Sequence, residues 1–140
     1  MFSELVPAAV LLALTVIVHS VGMMVLIRWV WRVHEKIGTE LWAQTWLLVR
    51  LAWSLIAIHL IEVAIWALFF WARGCLPDLE SSIYFAGVTY TTVGYGDLLL
   101  SKEWRLLGPI EGLTGILMCG LSTGFFFAVV SKLYAALKKS

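Results

Sequence analysis

Three apolar runs, each near the length of a bilayer's hydrocarbon core, constrain this 140-residue chain more than any other feature. The first extends from Leu5 to about Ile27, the second from about Trp46 to Trp71, and the third from about Trp104 to Val130. A segment in hydrocarbon must satisfy its backbone N–H and C=O groups internally, and about 20 residues of α-helix span the distance while doing so. Hydrophobic residues make up 61% of the chain and charged ones 14%. That is more apolar surface than a soluble domain of this size can bury. The sequence therefore predicts an all-α integral membrane protein with three transmembrane helices. A net charge of +1 argues against a nucleic-acid partner, and two cysteines, Cys75 and Cys119, suggest neither a disulfide framework nor a metal site.

Between the second and third runs lies "LESSIYFAGVTY", apolar but only about a dozen residues long, too short to cross. Its length suits a re-entrant half-helix. Asp78 and Glu80 stand at its start, where the helix dipole favours negative charge, and Pro77 reads as a first-turn residue. The expected organisation is an N-terminal transmembrane helix with a basic linker over 1–44, and a module over 45–133. That module holds the half-helix at 78–90, a loop at 91–97 and a final helix at 103–131. A short basic tail, 134–140, follows.

Basic residues set the expected orientation. Arg28, Arg32, Lys36 and Arg50 flank the first connection, and Lys132, Lys138 and Lys139 follow the third run. Both regions are expected on the cytoplasmic side, with the N-terminus and the half-helix outside. Trp29, Trp31, Trp42 and Trp46 would gather at the inner interface, Trp71 and Trp104 at the outer. Arg28, Arg32 and Lys36 anchor the first helix or bind anionic lipid headgroups.

The loop itself is "TTVGYGD", Thr91 to Asp97. Non-helical backbone survives at membrane depth only when buried in protein or lining a water-filled cavity. Gly94 and Gly96 take positive φ at little steric cost. Alternating with Val93 and Tyr95, they turn successive carbonyls toward one side. Such a row, with the Thr92 hydroxyl at its end, replaces the water shell of a monovalent cation. One chain offers too few oxygens to surround an ion, so several copies must converge.

Thr92 to Asp97, "TVGYGD", resembles the potassium-channel selectivity filter without a substitution. From about Ala57 to Lys132 the chain is similar to the small bacterial ion channel family of pore modules: outer helix, pore helix, filter, inner helix. The resemblance implies a homotetrameric, potassium-selective channel in a bacterial inner (plasma) membrane, and no enzyme. It implies K⁺ coordination by the carbonyls of Thr92, Val93, Gly94 and Tyr95 and by the Thr92 hydroxyl, with no other metal. Thr91, Gly96 and Asp97 support the filter. In the family Asp97 bonds an aromatic donor on the pore helix, commonly a tryptophan; Tyr84 holds that position here. Val88 stands where some members carry a glutamate. Laid on the family's inner helix, the third run places Leu117, Gly120, Gly124 and Ala128 toward the cavity. Phe125 or Phe126 is a candidate constriction, and the glycines are packing or hinge positions. Glu111 is expected to buttress the pore helix from behind.

Polar residues deep in the spans form a second group. His59 and Glu62 are three apart and share a helix face. Thr15, His19 and Gly22 share a face of the first helix, with His19 at similar depth. An unpaired carboxylate facing lipid costs about 2.5–3.5 kcal/mol. Glu62 is therefore expected to face protein, bonded to His59 or His19. Two rival readings stand beside the channel: a non-conducting partner subunit, and a membrane redox protein ligating haem through His19 and His59.

Overall fold

The computed structural model describes residues 2–34 and 40–137. They form α1 (Phe2–His34), α2 (Leu41–Ala72), α3 (Leu79–Tyr90) and α4 (Leu107–Leu137), with no strand among the described residues. Within these, Leu5–Val33, Leu41–Ala72 and Leu107–Ala135 are each long and apolar enough to cross a membrane. Helix α3 has 12 residues. At the usual rise per residue it covers about 18 Å, little more than half of a hydrocarbon core.

Local chemistry sets the ends. Helix α2 stops in a Schellman motif: Gly74 takes φ +64°, its N–H reaches the Trp71 carbonyl at 3.0 Å, and the Cys75 N–H reaches that of Phe70 at 2.9 Å. Asp78 then caps α3, Oδ1 accepting the Ser81 N–H at 2.7 Å. That bond holds the Asp78 carboxyl below the usual carboxylate range. Its contribution to stability is therefore full above about pH 3.9 and is lost as pH falls through the lower folded value. Thermal melts of Asp78→Asn should show a shallower acid limb than the native chain. Pro77 lies outside the cap rather than in the first turn. The last helix begins at Leu107, four residues later than 103, because 102–106 is spent in turns, with Trp104 N–H on the Ser101 carbonyl and Leu107 N–H on that of Trp104. At its other end it runs past 131 to Leu137. Helix α2 begins at Leu41, before Trp46.

The helices pack in three layers along their length. At one end Ala8, Leu11, Trp66, Phe70, Leu76, Phe85 and Leu107 form an apolar core. At the other, Leu26, Val30, Leu47, Leu51, Val129 and Leu133 form a second. Between them lies a polar layer, with His19, Glu62 and Ser122 all buried. Each end carries a cation over an indole: Lys132 over Trp31 (3.0 Å to the centroid) and Arg50 over Trp46 (5.4 Å) at one, Arg73 over Trp104 (5.4 Å) at the other. Arg28 and Arg32 are exposed near the end of α1. Lys36, Lys138 and Lys139 lie outside the described residues.

Helices α1 and α2 meet as an antiparallel ladder. Trp66 Nε1–H donates to Thr15 Oγ1 at 3.1 Å, His19 meets Glu62 one turn on, and Gly22 lies under Ile58. A Cβ on Gly22 would come within 2.7 Å of Ile58 Cδ1. This close approach lets a short imidazole arm span the interface.

Candidate functional site

The loop after α3 departs from every regular pattern in one consistent way. Thr92, Gly94 and Gly96 take positive φ (62°, 55° and 77°), while Val93 and Tyr95 between them do not. An extended chain flips its peptide groups at each residue; alternating the hand of successive residues cancels that flip and sets carbonyls along one side. Gly94 and Gly96 match the sequence expectation. Thr92 does not: a β-branched residue at positive φ is an outlier that its surroundings must hold in place.

The surroundings supply that hold. The helix C-terminus has unpaired carbonyls, and the loop's amides fill them. Thr92 N–H donates to the Thr89 carbonyl at 2.9 Å, and Val93 and Gly94 N–H both reach that of Val88, at 3.0 and 3.2 Å. The amides of Thr92, Val93 and Gly94 thus point back into α3, and among the described residues no backbone amide donates to the carbonyls of Thr92, Val93, Gly94 or Tyr95. Thr91 Oγ1–H also donates to the Gly87 carbonyl at 2.7 Å. Thr91 to Asp97 are exposed in the single chain, Val93 at 53% and Tyr95 at 72%.

At the far end of the loop, Tyr84 O–H donates to Asp97 Oδ2 at 2.8 Å. That bond raises the Tyr84 phenol above its ordinary value. Its contribution is full below about pH 10 and is lost as pH rises through the higher folded value. Phenolate absorbance in alkaline titration should therefore lose a late-titrating tyrosine in Tyr84→Phe. Val88 and Thr89 border a cavity of about 180 Å³ between α3 and the loop, shared with Tyr84, Gly94 and Asp97.

The model of the ion channel family matches residues 56–132, more than half of the chain. The chain belongs to the ion channel family. Comparison with curated proteins and with solved structures returns no match. With three apolar helices of crossing length, this ion channel is an integral membrane protein. The family match takes in the second half of α2, all of α3 and the loop, and α4 to Lys132. Helix α1 lies wholly outside it.

On α4 of the ion channel, Leu117, Gly120, Gly124 and Ala128 are all exposed on the single chain, and no atom lies within 4 Å of a Cβ built at either glycine. Neither glycine serves a close approach inside its own chain. Phe125 and Phe126 are half-buried against the α1–α2 core, and Phe127 is the exposed one of the three.

Glu62 lies at the meeting point of the helices and is fully buried. Oε1 accepts from His19 Nδ1 at 2.8 Å, and Oε2 from His59 Nδ1 at 3.2 Å. The Tyr90 hydroxyl donates to Oε2 as well. His59 Nε2 meets Ser122 Oγ of α4 at 3.0 Å. Both expected histidines thus reach Glu62, joined by Tyr90 and Ser122, which sequence reading did not single out. A tyrosine ending an apolar half-helix and a serine among small residues carry no spacing signal toward a partner on another helix. The two imidazoles stand 5.5 Å apart, tilted by 41°, with both Nδ1 atoms on one carboxylate. Bis-imidazole haem ligation needs the rings on opposite faces of a macrocycle. This convergence leaves no slot for one.

Proposed function

We propose that this ion channel conducts K⁺ selectively through a pore surrounded by four copies of the chain. The carbonyls of Thr92, Val93, Gly94 and Tyr95, with the Thr92 hydroxyl, are the ligands, and α3 is a re-entrant pore helix. The observation that carries this reading is the loop backbone: positive φ at every second residue from Thr92 to Gly96, the amides of Thr92, Val93 and Gly94 tied into α3, and no backbone donor on the carbonyls of Thr92 to Tyr95 among the described residues. Such a polar edge is tolerated at membrane depth only where it lines water or faces other protein, which is the argument for convergent copies. Thr91, Gly96, and the Tyr84–Asp97 bond brace it. The exposed face of α4 through Leu117, Gly120, Gly124 and Ala128 lines the cavity below, with Phe125 beside its inner mouth. The module spans 45–133, with the first helix and linker (1–44) and the tail (134–140) attached. The basic ends support a cytoplasmic C-terminus and an N-terminus outside, and the resemblance to bacterial pore modules supports a bacterial inner membrane. Arg28, Arg32 and Lys36 meet anionic headgroups on the cytoplasmic side.

Purified channel in vesicles tests the selectivity. Reversal potentials in mixed K⁺/Na⁺ should follow K⁺, and equal tracking of Na⁺ would overturn the reading. Absence of flux would favour the non-conducting partner subunit. Ba²⁺, a divalent ion close in size to K⁺, should block at the inner end of the filter, and Thr92→Ala should weaken that block. Mass measurement in mild detergent should give four chains; a stable monomer or trimer counts against the assembly.

A further inference from the structure

Tyr90 is the last residue of α3 and stands two positions before Thr92, the first ligand in the reading above. It is only 2% exposed, and its hydroxyl donates to the Glu62 carboxylate. As a carboxylate, Glu62 only accepts, and three donors from three helices converge on it: His19 Nδ1–H, His59 Nδ1–H and Tyr90 O–H. His19 Nε2 is buried without a partner, which assigns the His19 hydrogen to Nδ1, facing Glu62. His59 Nδ1 also lies 3.0 Å from the Tyr90 hydroxyl.

Stability alone does not call for such a cluster, since well-packed apolar residues do as well or better than buried charge. The cluster provides direction. A phenol ring held only by apolar contacts can rotate and slide, whereas one whose hydroxyl must meet a fixed carboxylate oxygen cannot. Helices α1 and α3 make no close backbone approach among the described residues. Besides the apolar core that α1 shares with Phe85 and Ala86, Glu62 is the polar link from α1 to the end of α3 that leads into the loop. We propose that Glu62 is a positioning residue for the filter: through the Tyr90 hydroxyl it fixes the inner end of the loop, and His19 and His59 fix Glu62. This rests on the potassium-filter reading. It gives α1, which the family match leaves out, a share in the permeation path.

The test uses the full chain in vesicles. Tyr90→Phe removes one oxygen and nothing else. The K⁺/Na⁺ permeability ratio and the apparent Ba²⁺ affinity should each fall by roughly tenfold or more, the factor that one hydrogen bond to a charged group corresponds to. Trp66→Phe is the control: it cuts the neighbouring α1–α2 bond to Thr15 without touching Glu62. It should lower the melting temperature and leave both permeation readouts unchanged. A Tyr90→Phe channel that melts earlier but keeps native selectivity and block reduces the cluster to packing and overturns the proposal. Should Tyr90→Phe fail to assemble, Glu62→Gln serves, because it keeps the shape but turns one acceptor oxygen into a donor. Native permeation in that variant is equally fatal. A native channel with no K⁺ preference would instead sink the potassium reading, whatever the variants do.

Discussion

Gly115→Ala is expected to abolish assembly of the channel, although it adds a single methyl group. A Cβ at Gly115 would overlap the carbonyl oxygen of Tyr90 and stand 2.9 Å from its carbonyl carbon and 3.2 Å from its Cα. Those are backbone atoms of the residue that ends α3 and leads into the loop, so no rotamer change relieves the overlap. Either α4 backs away from α3 or the end of α3 shifts, and both displace the loop at 91–97. Overpacking of this kind costs about 3 kcal/mol or more, since the contact is with backbone. Gly120→Ala and Gly124→Ala supply the contrast. Neither meets any atom within 4 Å in its own chain. In a helix interior the same change otherwise stabilises by up to about 1 kcal/mol. Detergent-resistant oligomer on a gel, read beside ion flux, checks the set. A Gly115→Ala protein that assembles and conducts like the native chain would show that α3 and α4 can part at this point without loss.

Gly115 also illustrates what the sequence holds and what it does not. The three spans and the half-helix follow from apolar run length, and the spans appear with shifted ends because turn hydrogen bonds at Ser101–Leu107 and the Schellman end at Gly74 outweigh hydropathy locally. The loop was legible because its two glycines stand at every second position. Thr92 was not, since no propensity argument places a β-branched residue at positive φ; only the amides drawn toward Val88 and Thr89 put it there. The partnership of Glu62 with the histidines followed from the cost of a lone carboxylate and a shared helix face. Tyr90 and Ser122 needed the third and fourth helices in place. Among the glycines of α4, spacing suggested Gly120 and Gly124 for packing, whereas the close contact within the chain is at Gly115. A small-residue pattern records that something approaches but not which neighbour, and α3 comes in at an angle that periodicity does not encode.

Glu111→Leu is expected to raise the thermal midpoint of the channel, against the usual direction for a substitution in a packed span. Glu111 is fully buried, and neither carboxyl oxygen has a hydrogen-bond partner among the described residues. It precedes Gly115 by one turn, so both occupy the face of α4 that meets α3. Because its own chain encloses it, a neighbouring copy cannot supply the missing donor. A buried polar group without a partner costs about 1–3 kcal/mol in proteins, and leucine of similar size removes that cost while keeping the contacts. Glu111→Gln keeps an unpartnered polar head and should gain much less. The expected order of midpoints is therefore leucine above glutamine, with glutamine near the native chain. A leucine variant that melts below the native one would mean that a bound water completes the carboxyl's hydrogen bonds. The acid then has a second consequence. An ionisable residue inside a span at a cost in stability is a functional candidate, and here it faces α3, which leads into the loop at 91–97. The stabilised leucine channel should accordingly differ from the native one in single-channel conductance or open time, and identical traces would show that the carboxyl does nothing for permeation.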